Sequence, residues 1–224
     1  IGFELAMNYA AHGHEVIACG RNQSKLEQLS THNPNITTLC FDLTQFQDYP
    51  DLESHIDMLI FNAGDCEYID DSLNFDAKKF ERIININLIS VAYGLEKWLK
   101  KINQNGRLVL ISSSAALLPL PRAEAYGTSK AGLTYLAKTL SVSLEPHKIK
   151  VTRVHPGFVD TPLTQKNNFP MPMLIDSKHA ANKIIHGLSK GKTEINVPFF
   201  FVLLIKCFSF LPLSLWQRLA SRMV

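Results

Sequence analysis

The sequence predicts an α/β fold: a parallel sheet with helices packed on both faces. Three observations lead there. Short apolar runs such as Leu108-Val109-Leu110-Ile111 lack the polar alternation of a strand with one wet face. These runs alternate along the chain with longer stretches of helical periodicity. Small or polar clusters (Gly20-Arg21-Asn22, Asp42-Leu43-Thr44, Asn62-Ala63-Gly64, Ser112-Ser113-Ser114, Pro156-Gly157) close the runs. Ligands of parallel sheets bind at the carboxyl ends of the strands, so these clusters converge on one crevice.

The chain opens at Ile1-Gly2 on a helical pattern (Phe3, Leu5, Ala6, Tyr9, Ala10). An α/β domain that begins on a helix is expected to have a strand before it. The first strand is therefore expected to be missing from the chain, and the true N-terminus to lie upstream. Residues 15–19 read as a strand and 24–30 as a helix. Strands are expected at 36–41 and 57–61, and one long helix from 76 to 102. Residues 106–112 form the next strand, and the helix carrying Tyr126 runs to Glu145, where Pro146 stops it. A strand at 150–155, a helix at 177–189 and a short strand at 195–197 complete the order. No linker, repeat or low-complexity tract divides residues 1–224, a length that suits one domain with a large core.

Hydrophobic residues at 46% and charged residues at 19% exclude a disordered chain. A net charge of +3, with both signs scattered, gives nucleic acid nothing to bind. Cys19, Cys40, Cys66 and Cys207 form no Cys-x-x-Cys pair and read as buried, reduced thiols of a cytoplasmic protein. The eight histidines show no metal-ligand spacing, and His12-Gly13-His14 reads as a solvated turn. No metal site is expected.

The chemistry lies in Tyr126 and Lys130, four residues apart on a predicted helix, with Ser113 thirteen residues before the tyrosine. Positions i and i+4 share a helix face, so phenol and ammonium point into one site. A phenol holds its proton to about pH 10, and a nearby cation is expected to lower that value. Such a pair suits moving a proton on or off an alcohol or carbonyl oxygen.

With these motifs in order, the chain resembles the short-chain dehydrogenase/reductase family, in its compact single-domain branch, from Ile1 to about Thr161. The resemblance implies a Rossmann-type doubly wound parallel sheet. Ile1-Gly2 looks like the end of the family's glycine-rich phosphate loop, and Asn62-Ala63-Gly64 like its sheet-supporting motif. Asn87, Ser113, Tyr126 and Lys130 match the catalytic tetrad, and Pro156-Gly157-x-Val159-x-Thr161 the segment bordering the nicotinamide. By this resemblance Tyr126 is the acid/base and Lys130 also binds the nicotinamide ribose. Ser113 holds the substrate oxygen, with Ser112 and Ser114 as flanking candidates. Asn87 organises a proton-relay water, with Asn85 as its competitor.

An acidic residue after the second strand would favour NAD, and Ala18-Cys19-Gly20 offers none. Arg21, beside Asn22, suits the 2′-phosphate of NADP instead, so NADP(H) is expected in preference to NAD. Asp42 and Leu43 are expected against the adenine. The implied function is NADP(H)-dependent interconversion of an alcohol and a ketone or aldehyde. The alternatives are a catalytically silent nucleotide-binding scaffold and a sugar-nucleotide epimerase of the longer branch.

Residues 162–176 fall where the family keeps its substrate lid, and their methionine-rich apolar character suits an apolar substrate. The tail, 198–224, is hydrophobic, yet only 13 residues separate Pro198 from Pro212, one of them Lys206. That is short of the ~20 needed to span a membrane. Three readings of the tail stay open: a cover over the substrate mouth, an oligomer interface, or peripheral membrane contact anchored by Trp216, Arg218 and Arg222. Pairing through the long helices 76–102 and 125–145, as the family does, implies a homodimer or homotetramer.

Overall fold

A computed structural model describes residues 1–221. Strands and helices alternate in the expected order: α1 (Gly2–Ala11), β1 (Val16–Gly20), α2 (Gln23–His32), β2 (Ile36–Cys40), β3 (Ile56–Phe61) and α3 (Ala77–Ile84). There follow α4 (Ser90–Trp98), β4 (Ile102–Ile111), α5 (Glu124–Ser143), β5 (Lys150–Pro156), β6 (Val159–Asp160) and β7 (Ile175–Asp176). The chain continues through α6 (Ser177–Ser189), β8 (Glu194–Val197), α7 (Phe199–Ser209) and α8 (Leu213–Ala220). Short side chains start several helices. Asn22, Asp76 and Asp176 accept from the backbone N–H of Lys25, Lys79 and His179 and so cap α2, α3 and α6.

Strands β3, β4, β5 and β8 pair in parallel in that order, and their core has two sides. Along β4, Leu108 and Leu110 pack against Leu133 and Ala137 of α5 and Val91 of α4. Val109 and Ile111 point the other way, against Ile184 and Leu188 of α6. Leu108, Val109 and Leu110 are each 0% exposed, which is why this run carries no polar alternation. This is the doubly wound parallel sheet that the motifs implied.

The sheet has a break. Strands β1 and β2 pair in parallel with each other but with none of the other four, so β1 and β3 are each paired on one side only. A cleft lined by Tyr9, His14, Met58 and Leu188 opens there. The additional strand expected from the sequence would lie in this break. Beside it, Ile17 is 39% exposed, and Cys19, on the same face of β1, is exposed too.

That corrects the reading of the thiols. Cys19, Cys40 and Cys207 are exposed and Cys66 is half-buried, and none is in a disulfide. Residues 19 and 40 sit at the ends of the detached pair of strands, and Cys207 lies on the outer side of α7. An apolar flank in sequence did not imply a covered face.

The expected long helix also differs. Helical backbone does continue from α3 to residue 101, but Asn85–Ile89 form a π-helical turn and Leu99–Lys101 a 3₁₀ turn. A π turn inserts a residue into the hydrogen-bond ladder, and such insertions cluster at functional sites. Asn87 is in this one.

The tail folds into two helices separated at Pro212, and α7 packs on the end of the sheet. Phe201, Val202 and Ile205 are buried with Leu118, Phe158 and Trp216. A Cβ on Gly157 would lie 2.5 Å from the Phe201 ring, so the absence of a side chain at 157 admits the helix. Lys206 and Arg153 both pair with Glu194 of β8. Trp216 donates from Nε1 to the Pro119 carbonyl at 2.7 Å and is 7% exposed. It faces the protein, against its expected role as an outward anchor; Arg222, expected beside it, lies outside the described residues. No helix among the described residues is long and apolar enough to cross a membrane.

Candidate active site

Lys130 is the centre of the site. It lies on α5, is 4% exposed, and donates from Nζ to the Ile111 carbonyl at 3.0 Å. The ammonium sits 5.9 Å from the centre of the Tyr126 ring, one helical turn earlier. A Cβ on Gly64 would lie 3.1 Å from both Lys130 Nζ and Asn87 Oδ1. A side chain there would crowd both groups, so glycine suits this close approach of the loop after β3. The fold therefore brings Asn62-Ala63-Gly64, Asn87, Tyr126 and Lys130 to the carboxyl ends of β3 and β4.

The serines separate by geometry. Ser112 Oγ donates to the Lys130 carbonyl at 2.9 Å and shares a 2.7 Å hydrogen bond with Thr134, so it is spent on holding α5. Ser113 is turned the other way and interacts with the Tyr126 hydroxyl. Its Oγ also accepts from the Ala115 N–H at 3.2 Å. Ser114 opens a 3₁₀ turn and has no such position. We expect Ser113→Ala to lower turnover about a hundredfold and, through loss of the Ala115 contact, to cost about 1 kcal/mol of stability. Ser112→Ala should instead cost about 1–2 kcal/mol in a urea melt and little turnover.

Asn87 is 0% exposed and its side chain is fully engaged. It donates to the Asp65 carbonyl and to Ser129 Oγ, both at 2.9 Å, and accepts from the Asp65 N–H at 2.8 Å. Its amide thus fixes the loop after Gly64. Asn85, two residues earlier and so on a different side of the helix, is half-buried.

The electrostatics run against the sequence expectation. Burial, then the neighbouring Cys66 thiol, pushes the Tyr126 phenol above its ordinary value, and the Ser113 hydroxyl only partly opposes this. Burial likewise lowers Lys130 from 10.5 to about 8. In the ligand-free site, desolvation is the largest influence on both groups.

A sequence model of the family described as short chain dehydrogenase matches residues 1–171. The chain belongs to the short-chain dehydrogenase family. It is 29% identical to an uncharacterized oxidoreductase of Myxococcus xanthus (strain DK1622), over 100% of this chain and 93% of that protein. It is 28% identical to the L-xylulose reductase of Mesocricetus auratus, over 75% of this chain and 70% of that protein. Among solved structures, the 3-ketoacyl-(acyl-carrier-protein) reductase from Brucella melitensis complexed with NADH superposes with a TM-score of 0.76 at 19% identity. That likeness covers 87% of this chain and 90% of the other, and shows the fold.

A short-chain dehydrogenase is an oxidoreductase that uses NAD(P), and the residues present fit such a group. Lys130 is a buried cation with three donors and one protein acceptor, Ile111 O, as a site for ribose hydroxyls requires. Gly2, at the N-terminus of α1, faces Asn62 so closely that a Cβ would lie 2.4 Å from its Nδ2. Ile1 and Gly2 thus lie beside Asn62-Ala63-Gly64, where a helix N-terminus favours phosphate. Arg21 and Asp42 end neighbouring strands. Thr44, from its backbone and its hydroxyl, holds the Asp42 carboxyl below its usual range, with a smaller effect of Arg21. Asn22 Oδ1 is used in capping α2, and Leu43 accepts from Tyr49 through its carbonyl. Pro156 closes β5, Gly157 donates to the Val197 carbonyl, and Val159 starts the short β6. Thr161 opens the loop to β7 and is hydrogen-bonded to Thr164.

Two site residues escaped the sequence reading. Cys66 and Tyr68 follow Gly64 in a loop without periodicity. Burial raises the Cys66 thiol to about 11, so it stays protonated beside Tyr126. Tyr68 faces this thiol and reaches the 162–176 segment, donating to Asn167 Oδ1 at 3.2 Å. Phe169 meets the Tyr68 ring edge-on at 5.4 Å, and Phe158 packs against both Phe169 and Phe201. The only sequence signal was position: both residues lie just beyond a strand's carboxyl end.

Proposed function

We propose that this protein is an NADP(H)-dependent reductase or dehydrogenase of a small apolar ketone, aldehyde or alcohol. The observation that carries the reading is the pairing of half-buried Tyr126 with buried Lys130, with Ser113 on one side and Gly64 and Asn87 on the other. Bound nicotinamide supplies or accepts the hydride. Ser113 and Tyr126 hold the substrate oxygen, and Tyr126 gives up its proton in reduction and recovers it in oxidation. Lys130 holds the ribose and stabilises the phenolate left behind. The Asn87 backbone positions the water that returns a proton through Lys130.

Arg21 supports NADP over NAD: no acidic side chain follows β1, and Arg21, directly after that strand, offers a guanidinium suited to a 2′-phosphate. Arg21→Ala is expected to weaken NADPH binding about tenfold or more, leaving NADH binding unchanged, by fluorescence titration. Equal losses for the two nucleotides would remove the preference. The 162–176 segment serves as the lid, with Tyr68, Phe158 and Phe169 giving the cavity its apolar walls. The unpaired, largely exposed thiols fit a reducing cytoplasmic compartment. Pairing of two or four copies through α3, α4 and α5 completes the reading. Tyr135 at 74% and Val142 at 75% exposed leave that side of α5 open to a partner.

A panel of ketones and aldehydes assayed with NADPH tests the function. Nucleotide-dependent reduction of at least one apolar carbonyl is expected. Tight NADPH binding with no turnover on any of them would favour the silent scaffold.

A further inference from the structure

Apart from Lys206 and Ser209 near its end, helix α7 is apolar all round, a pattern that ordinarily means burial on every side. Only one side is buried, through Phe201, Val202 and Ile205. On the other, Phe199 is 57% exposed, Phe200 72%, Leu203 42% and Leu204 49%. These four stand at i, i+1, i+4 and i+5 and form one stripe along the helix. Phe210, in the turn before Pro212, is 87% exposed, and Leu215 and Leu219 of α8 are 44% and 41% exposed. Of the seventeen large hydrophobic residues exposed among the described residues, eight lie between residues 199 and 219. The other nine are spread over nearly two hundred positions, as isolated surface apolar residues usually are.

The charge pattern identifies what covers this face. From Ile195 onward the sequence has no Asp or Glu; its charges are Lys206, Arg218 and Arg222. Lys206 is tied to Glu194, and Arg218 is exposed beside the apolar stripe. A two-fold contact pairs this face with itself, and the face offers Arg218 no carboxylate. A surface of anionic lipid headgroups receives both the cation and the aromatic and aliphatic side chains. At 11 residues α7 is about 16 Å long, enough to lie in a bilayer surface and too short to cross it.

We propose that the outer face of α7 and α8 docks the protein peripherally on an anionic membrane surface. Lys206 and Arg153 on Glu194, with Phe201 against Gly157, hold that face rigidly beside the site. The contact is independent of turnover, so its test does not depend on the proposed reaction.

The test is co-sedimentation of the full-length protein with vesicles of phosphatidylcholine alone or with added phosphatidylserine. The unaltered protein should sediment with the anionic vesicles and much less with the neutral ones. Phe200→Glu/Leu204→Glu, at two exposed positions, should weaken binding about a hundredfold while leaving the melting temperature unchanged. Arg218→Glu should weaken binding to the anionic vesicles about fivefold and to the neutral ones hardly at all. Absence of sedimentation with either vesicle, or binding unaffected by the double substitution, overturns the proposal. A dimer that the double substitution dissolves, without vesicle binding, would assign the face to a second copy.

Discussion

Tyr126→Phe is expected to lower turnover about a thousandfold while leaving NADPH affinity within about twofold of the unaltered protein. The substitution removes one oxygen and keeps the ring, so packing against Lys130 and the α5 backbone survives. What disappears is the proton donor that faces Ser113. Cys66 is nearby, with its thiol raised to about 11, but it faces Tyr68. Steady-state kinetics with a nucleotide titration separates the two effects. Residual turnover above a tenth of the original would move the acid/base role elsewhere.

Lys130→Met has the second large effect, on stability as well as rate. The ammonium is nearly fully buried and its value falls from 10.5 to about 8. Folding therefore disfavours the charged form. Below about pH 8 folded and unfolded chains both hold the proton, and the full penalty is present. Between about 8 and 10.5 the unfolded chain holds more protons, so stability rises with pH; above that window the penalty is gone. The gain across the window is on the order of 3 kcal/mol for the nucleotide-free protein. Chemical denaturation at pH 7.5 and 10 should show that rise in the unaltered protein and lose it in Lys130→Met. The variant should also be more stable near neutrality, though almost inactive and weakened in nucleotide binding. A burial cost kept for function is the simplest account of such a trade.

The tyrosine and lysine were legible because helical periodicity alone places them on one face. The strand ends were legible for a similar reason: fully buried parallel strands leave an apolar run closed by small residues. The direction of the Tyr126 shift was not. It depends on how tightly the loop from Gly64 to Tyr68 closes over the phenol, and that is a packing fact with no sequence pattern. The π turn at Asn87 was hidden because its residues, Asn85-Ile86-Asn87-Leu88-Ile89, fit an ordinary helical period well enough. Ser112 and Ser113 are equivalent in composition; only the opposite directions of neighbouring strand residues set one on α5 and the other on the crevice. In the tail the apolar character was plain, but which side of α7 is covered depended on distant contacts such as Phe158 with Phe201, and that Trp216 turns inward depended on Pro119, 97 residues away in sequence.

The central claim is that the fold holds the Tyr126 phenol protonated until nucleotide arrives. Ultraviolet difference titration of phenolate, taken as the unaltered protein minus Tyr126→Phe, reads this directly. The account predicts no Tyr126 phenolate below about pH 10 in the free protein, and a titration moved down by at least about one pH unit at saturating NADP. A titration that is already low without nucleotide, or one that nucleotide leaves unmoved, would contradict it.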